Sequence, residues 1–252
     1  MMPYVAHRPR CSMTSLPIPR IFISSDTFAT PRATRRFHVG LAIVVLATVF
    51  SGFSFSIYSR LANGPLPLGA VVHGILFFSW VLLFAIQIGL VAAGRVRLHR
   101  TLGVGAAVLA LVLVLSAPPL AIDAARRGVL PGNSLEFLLV MFVDLLLFGA
   151  FVGAAIYFRR RPEVHKRLIV LGMVSLLPPA ISRWPIALRH VAIIPVVLLF
   201  FLMATPVFDF LARRRQHPVT VWGGVAIVLS IPIRFAIAHT AAWHAIASWL
   251  VR

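Results

Sequence analysis

Seven apolar stretches constrain this chain more strongly than any other feature of its sequence. A helix needs roughly 20 apolar residues to cross the hydrocarbon core of a bilayer. Stretches of this kind lie near residues 38–59, 67–93, 102–122, 135–158, 168–188, 191–211 and 219–238. Because 60% of the residues are hydrophobic and only 12% are charged, the composition excludes a soluble globular domain. We therefore expect an all-α fold, a polytopic transmembrane helix bundle with seven spans.

The placement of arginine around these stretches predicts their orientation. Of the 24 lysine and arginine residues, 17 lie before the first stretch or in every second connection after it. They are Arg8, Arg10, Arg20, Arg32, Arg35, Arg36, Arg95, Arg97, Arg100, Arg159, Arg160, Arg161, Lys166, Arg167, Arg213, Arg214 and Arg215. Cytoplasmic loops retain basic residues, whereas loops on the other side are depleted of them. The sequence therefore predicts the N-terminus in the cytoplasm and the C-terminus outside.

The formal net charge of +18 does not indicate a nucleic-acid-binding protein. The basic residues are spread over short segments at helix ends and do not cluster on one folded face. At such positions they attract the anionic lipids of an inner leaflet, by about 1 kcal/mol per residue. The single lysine, Lys166, beside 23 arginines is typical of a GC-rich bacterial genome. We therefore expect a multi-pass protein of the bacterial inner membrane that contacts anionic lipids.

The sequence divides into three predicted segments. Residues 1–36 contain prolines, serines and arginines without a sustained period, which predicts a disordered basic cytoplasmic tail. Residues 37–238 form the predicted transmembrane domain. In residues 239–252, Trp243 and Trp249 belong to an apolar pattern of three- and four-residue spacing. This pattern predicts a short outer interfacial helix that is anchored by its tryptophans.

Four ionisable side chains inside the predicted spans are the main functional signal: His73, Asp144, Arg183 and Arg234. Each costs about 2.5–3.5 kcal/mol at depth on insertion scales, which makes each a candidate functional group. At about 1.5 Å per residue along continuous helices, the two arginines lie about 22 Å from the cytoplasmic boundary. His73 is nearly level with them, and Asp144 is about one turn deeper. The sequence therefore predicts an internal polar site in the outer half of the membrane.

The pattern of polar residues in the second span predicts which face of that helix belongs to the site. His73, Trp80 and Gln87 are spaced by seven residues, so two helical turns bring them onto one stripe. Lipid offers no hydrogen bonds, so the stripe is expected to face the bundle interior, along a pocket or a packed interface. The predicted ligand-binding residues are His73, Trp80, Gln87, Asp144, Arg183 and Arg234. Buried arginines suit a carboxylate or phosphate, which favours a small anionic ligand that the protein binds, senses or transports.

Structural interpretations of the same side chains stay open. Arg183 and Arg234 lie near enough to the outer surface to extend their charged ends into the headgroups. Asp144 would pair with one arginine as a structural contact, and His73 would hydrogen-bond a neighbouring carbonyl. On this interpretation the chain is a structural membrane protein without a ligand.

Enzymatic motifs are missing from the sequence. It contains no Gly-rich phosphate loop, no His-Glu-x-x-His metal motif and no Gly-x-Ser-x-Gly elbow. Asp144 is the only acid predicted deep in the bundle, because Asp209 is interpreted as a helix-end partner of Arg213, four residues later. Cys11 is the only cysteine, which excludes an intrachain disulfide. We therefore predict no catalytic residue, no metal site and, in the leading interpretation, no cofactor.

Several motifs resemble those of a bacterial family of predicted multi-helix membrane proteins of unknown function, over about residues 40–235. The longest combines His73-Gly74, Trp80 and Gln87 with the run Leu98-His99-Arg100-Thr101-Leu102-Gly103. Two further motifs are Tyr58-Ser59-Arg60 and the run 161–168, Arg-Pro-Glu-Val-His-Lys-Arg-Leu. The resemblance implies topology and no particular activity. The motif residues that it implies here are Arg60, His73, Trp80, Gln87, His99, Asp144, His165 and Arg183.

A more distant similarity concerns haem. Membrane cytochromes b and haem A synthase hold haem between histidines on neighbouring helices, and His99 and His165 begin the third and fifth predicted spans. Their positions are similar to alternate-helix ligation in the dihaem ascorbate-dependent cytochromes b, although both lie at headgroup level. This similarity implies an alternative function, a haem b redox protein or an assembly factor for haem enzymes, with His99 and His165 as ligands.

Overall fold

The computed structural model describes residues 31–61 and 67–252, with side chains for 32–55 and 67–252. Within these ranges the chain forms helices and turns and no strand. The ten described helices are α1 (Pro31–Leu61), α2 (Leu68–Ala92), α3 (Val96–Arg126), α4 (Ser134–Tyr157), α5 (Pro162–Ser175), α6 (Pro178–Ile181), α7 (Pro185–Arg189), α8 (Ile193–Arg213), α9 (Pro218–Ala238) and α10 (Ala241–Leu250).

Seven helical segments are long and apolar enough to cross a membrane, which confirms the predicted all-α bundle of seven spans. They are Arg32–Phe55, Leu68–Ala92, Val96–Arg126, Ser134–Tyr157, Pro162–Ile181, Ile193–Arg213 and Pro218–Ala238. The first helix begins at Pro31, so residues 31–36, predicted as part of the tail, are helical. Residues 1–30 of the predicted tail lie outside the described residues.

The fifth span is not the continuous helix that was predicted over residues 168–188. Helix α5 ends at Ser175, and the short helices α6 and α7 follow it. Pro178 and Pro179 occupy the first two positions of α6, where the missing amide hydrogen and the fixed φ of proline are tolerated. Arg183 therefore lies in the turn between α6 and α7, so the continuous helix from which its depth was predicted is wrong.

The other prolines lie inside helices that continue past them. Helix α3 runs through Pro118 and Pro119, α8 through Pro206, and α9 through Pro232. Each proline removes one backbone hydrogen bond and frees a carbonyl. Membrane bundles tolerate this when neighbouring groups satisfy the freed backbone atoms.

Helix α4 is central to the bundle, with α3, α5, α9 and α10 packed around it. Helices α1, α2 and α3 pack in sequence order, and α6 lies between α1 and α8. The core contains large side chains that are almost completely buried, including Phe148, Leu177 and Phe201. The outward faces carry exposed Ile43, Leu146 and other apolar side chains, as expected for helices whose surroundings are lipid.

Contacts between helix ends gather the basic segments at one end of the bundle. Arg35 Nη1 lies 3.4 Å from the Ala92 carbonyl, and His165 Nδ1 lies 2.8 Å from the Ala155 carbonyl. The starts of α1, α3, α5 and α9 and the ends of α2, α4 and α8 form what we call the arginine-rich end. That this end faces the cytoplasm stays a prediction from the charge distribution.

Helix α10 packs against α4 and α9 at the opposite end. Trp243 is buried there, and its Nε1 donates a 2.7 Å hydrogen bond to the Leu135 carbonyl. Trp249 is 70% exposed. The two tryptophans therefore differ in role: Trp243 fixes α10 to the bundle, and Trp249 faces outward, where an interfacial anchor was predicted.

Candidate functional site

Two of the predicted site residues form a buried ion pair between α4 and α9. Arg234 Nη1 and Asp144 Oδ1 are 2.5 Å apart, and the two residues are 5% and 7% exposed. Arg234 also donates to Ser230, from Nη2 to the hydroxyl at 2.7 Å and from Nε to the carbonyl at 3.2 Å. Asp144 therefore balances the charge of Arg234 inside the bundle.

His73 lies on α2 and contacts α3 instead of this ion pair. Its Nδ1 is 3.3 Å from the hydroxyl of Ser116, which also contacts the Leu113 carbonyl at 3.3 Å. The ring is half-buried. His73 thus joins two neighbouring helices through a hydrogen bond, but its partner is the Ser116 hydroxyl and not the carbonyl that the structural interpretation expected.

Arg183 is half-buried in the turn after α6 and contacts α1. Its guanidinium donates to the Pro179 carbonyl and lies 4.6 Å from the centroid of the Phe53 ring. A cation over an aromatic face is attracted by the ring quadrupole. The neighbouring Trp184 donates from Nε1 to the hydroxyl of Ser51 at 2.9 Å. This turn is therefore fixed to α1 by two contacts.

The four predicted ionisable side chains thus do not form one cluster, because their contacts lie in three separate parts of the bundle. Asp144 and Arg234 meet, whereas His73 contacts α3 and Arg183 contacts α1. The sequence predicts all four within about one helical turn of a common level, but a shared level does not determine which side of its helix each side chain occupies.

The predicted stripe on α2 does face the bundle interior. Trp80 is 4% exposed and packs edge-on against Phe148 of α4, with ring centroids 5.1 Å apart. Gln87 faces α3, because a methyl group built on Gly103 would lie 3.9 Å from its Nε2. We call the surface formed by His73, Trp80, Gln87 and His99 the polar seam.

Unpaired polar atoms are concentrated in this seam. Among the described residues, six buried side-chain nitrogen or oxygen atoms have no hydrogen-bond partner. Four of them belong to the seam: Trp80 Nε1, His99 Nδ1 and both amide atoms of Gln87. The other two are the hydroxyls of Thr205 and Thr220. Each unpaired buried group costs about 1–3 kcal/mol, so this concentration requires an explanation.

A pair of histidines continues the seam toward the arginine-rich end. The rings of His99 and His165 have centroids 6.3 Å apart and planes at 78°. The His99 ring also has a hydrogen-bond contact with the backbone of Gln87. His165 Nδ1 is fixed by the Ala155 carbonyl, which leaves its Nε2 available to another partner.

The structure also contains a buried ionic cluster that the sequence analysis missed. Arg167 of α5 binds Asp209 of α8, with Nη2–Oδ2 and Nη2–Oδ1 distances of 2.7 and 2.9 Å. Asp209 is 2% exposed, so Asp144 is not the only buried acid. The predicted pairing of Asp209 with Arg213 is present at 3.8 Å, but the shorter contacts go to Arg167.

Glu163 completes this cluster at the arginine-rich end. It accepts hydrogen bonds from Lys166 and Arg167 at 2.6 Å and from Arg213 at 2.9 Å. The signal that could have revealed the cluster is the pair of i,i+4 spacings, Glu163 to Arg167 and Asp209 to Arg213. The cluster joins α5 to α8, and we assign it a structural role.

No group of three or more histidine, cysteine, aspartate or glutamate side chains is arranged to hold a metal ion within the described residues.

Comparisons with protein-family models, with curated proteins and with solved structures find no match to this chain. The resemblance to a bacterial membrane-protein family therefore stays a prediction. The seven apolar helices support a multi-pass membrane protein.

Proposed function

We propose that this protein binds a small polar ligand inside the membrane, along the polar seam on the inward face of α2 and the start of α3. The observation that carries the proposal is the group of four unpaired polar atoms on Trp80, Gln87 and His99. A buried amide without partners is costly, and an apolar side chain of similar size would avoid that cost. A ligand that supplies the missing hydrogen bonds accounts for the polar side chains.

The side chains of the seam specify the chemistry of this ligand. Trp80 offers only a donor, Gln87 offers two donors and an acceptor, and the imidazole of His99 can act as either. The ligand therefore carries both acceptors and donors. Since Asp144 already balances Arg234, we propose recognition mainly by hydrogen bonds and not by net charge. The ion pair would hold α4 and α9 in place beside the seam.

Substituting Gln87 with leucine tests this proposal, because leucine keeps the approximate volume and removes the amide. We expect a small molecule to co-purify with the wild-type protein from native membranes and to be depleted about tenfold in Gln87→Leu, a loss of about 1.4 kcal/mol in binding. Mass spectrometry of the solvent-extracted proteins measures the depletion.

The matched control is Ser79→Ala, which removes a hydroxyl from an exposed position on the same helix. This variant should retain the molecule at the wild-type level. The proposal is wrong if wild-type protein and Gln87→Leu yield the same extract and the variant differs only in a higher unfolding temperature. In that case the unpaired amide lowers the stability of the protein and binds no ligand.

A second candidate function, haem binding, is favoured by the geometry of His99 and His165. The two rings lie close together, with centroids 6.3 Å apart, so both imidazoles are near enough to bind one metal ion. The hydrogen bond from the His165 ring to the Ala155 carbonyl is a typical orienting contact of a metal-binding histidine. If haem binds here, His99 and His165 would hold it, and the haem would supply one-electron chemistry.

The visible spectrum of the purified protein tests this candidate. If the pair binds haem, protein expressed with added haem precursor should show a Soret band that His99→Ala removes. The control His190→Ala changes an exposed histidine and should keep the band. A colourless wild-type preparation, or a band that persists in His99→Ala, would exclude haem ligation by this pair.

A further inference from the structure

A groove on the outer surface of the bundle lies between α1 and α8. It has a volume of about 270 Å³ and opens outward. Its lining includes Arg36, Phe37, Gly40, Val44, Phe200 and Ala204. Except for the arginine, this lining is apolar. On a membrane-spanning bundle, such a surface is in contact with lipid chains.

The shape of the groove follows from two residues of α1. Phe37 stacks on Phe208 of α8, with ring centroids 4.1 Å apart and planes at 10°, and so joins the two helices beside the groove. Gly40 leaves it open, because a methyl group built there would meet no atom within 4 Å. From Arg36 to Val44 the groove follows α1 for about 12 Å.

Positive charge lies at one end of the groove only. Arg36 lines the groove together with Gly40 and Val44, and Arg32 lies one helical turn before Arg36, beyond the end of the groove. Both are exposed, and neither guanidinium group forms a hydrogen bond or ion pair with another described residue. Arg35 differs from them, because it points to the end of α2 and contacts the Ala92 carbonyl.

We propose that this groove is a binding site for one anionic phospholipid. Its acyl chain lies along Gly40 and Val44, and its phosphate accepts hydrogen bonds from Arg36 and Arg32. The apolar part of the groove matches the acyl chain of such a lipid, and the arginines at one end of the groove match its phosphate. Guanidinium groups form strong charge-assisted hydrogen bonds with phosphate oxygens. This site lies on the outer surface and does not depend on the ligand proposed for the polar seam.

Native mass spectrometry of the full chain, after incubation with equal amounts of phosphatidylglycerol and phosphatidylcholine, tests the proposal. We expect one tightly retained phosphatidylglycerol per chain. The charge variant Arg36→Gln should reduce its retention about tenfold. Gly40→Leu, which fills the groove without touching the charge, should reduce retention to a similar extent.

The matched control is Arg100→Gln, which removes an exposed arginine at the same end of the bundle, on α3. It should retain the lipid as the wild type does. Equal loss in Arg36→Gln and Arg100→Gln would show general attraction to a basic surface and overturn the proposal. Unchanged retention in Gly40→Leu would overturn it too, as would a lipid-free dimer that Gly40→Leu dissociates, since a second copy would then cover the groove.

Discussion

Replacing Asp144 with alanine is expected to destabilise the protein by about 3–5 kcal/mol, because it leaves a buried charge without its counterion. Arg234 is 5% exposed, and after the substitution only Ser230 remains as its described partner. The expected result is a large fall in the unfolding temperature of purified Asp144→Ala and a lower yield of monodisperse protein. Thermal unfolding in detergent, followed by size-exclusion chromatography, measures both.

The double variant Asp144→Leu with Arg234→Met is the matched control for this prediction. Replacing both partners of a buried ion pair with apolar side chains is often neutral or stabilising. The double variant should therefore recover most of the lost stability. An Asp144→Ala variant as stable as the wild type, or a double variant less stable than the single one, would contradict a structural role for the pair.

Replacing Gly52 with alanine is expected to cost about 3 kcal/mol, because the new methyl group has no room. A Cβ atom at Gly52 would overlap the carbonyl oxygen of Ala180 and lie 2.9 Å from its carbonyl carbon. These are backbone atoms of α6, which cannot rotate away as a side chain would. Helix α6 would have to move away from α1, together with the buried Ile181. The unfolding temperature of Gly52→Ala should fall accordingly.

Gly40→Ala, on the same helix, separates this steric effect from the helix preference of alanine. Its added methyl group meets nothing within 4 Å, so we expect a gain of up to about 1 kcal/mol from helix propensity. If both variants shift the unfolding temperature by the same amount, the close approach of α1 and α6 is not a determinant of stability.

The number of spans was predictable, because the length of an apolar stretch alone decides whether a helix can cross a bilayer. The interruption of the fifth span was not. The pairs Pro118–Pro119 and Pro178–Pro179 look alike in the sequence, yet α3 continues through the first pair and α5 ends before the second. The short helix α6 that begins at the second pair packs against α1 and α8, and the sequence does not show these contacts.

The candidate site was predictable in part. The spacing of Trp80 and Gln87 correctly placed both on an inward-facing stripe, since helix periodicity is a local property. The contact of Asp144 with Arg234 was foreseen as one of several pairings. The buried pair of Arg167 and Asp209 was missed, because its members are 42 residues apart in the sequence. Each also has an oppositely charged residue four positions away on its own helix, so nothing in the sequence indicates a more distant partner.

An experimental structure of the purified protein at a resolution that shows side chains and small molecules tests the central claim most directly. Our account predicts density for a non-protein molecule within hydrogen-bonding distance of the Gln87 amide, between Trp80 and His99. A structure in which that amide bonds only to neighbouring helices, with the seam closed around it, would contradict the account.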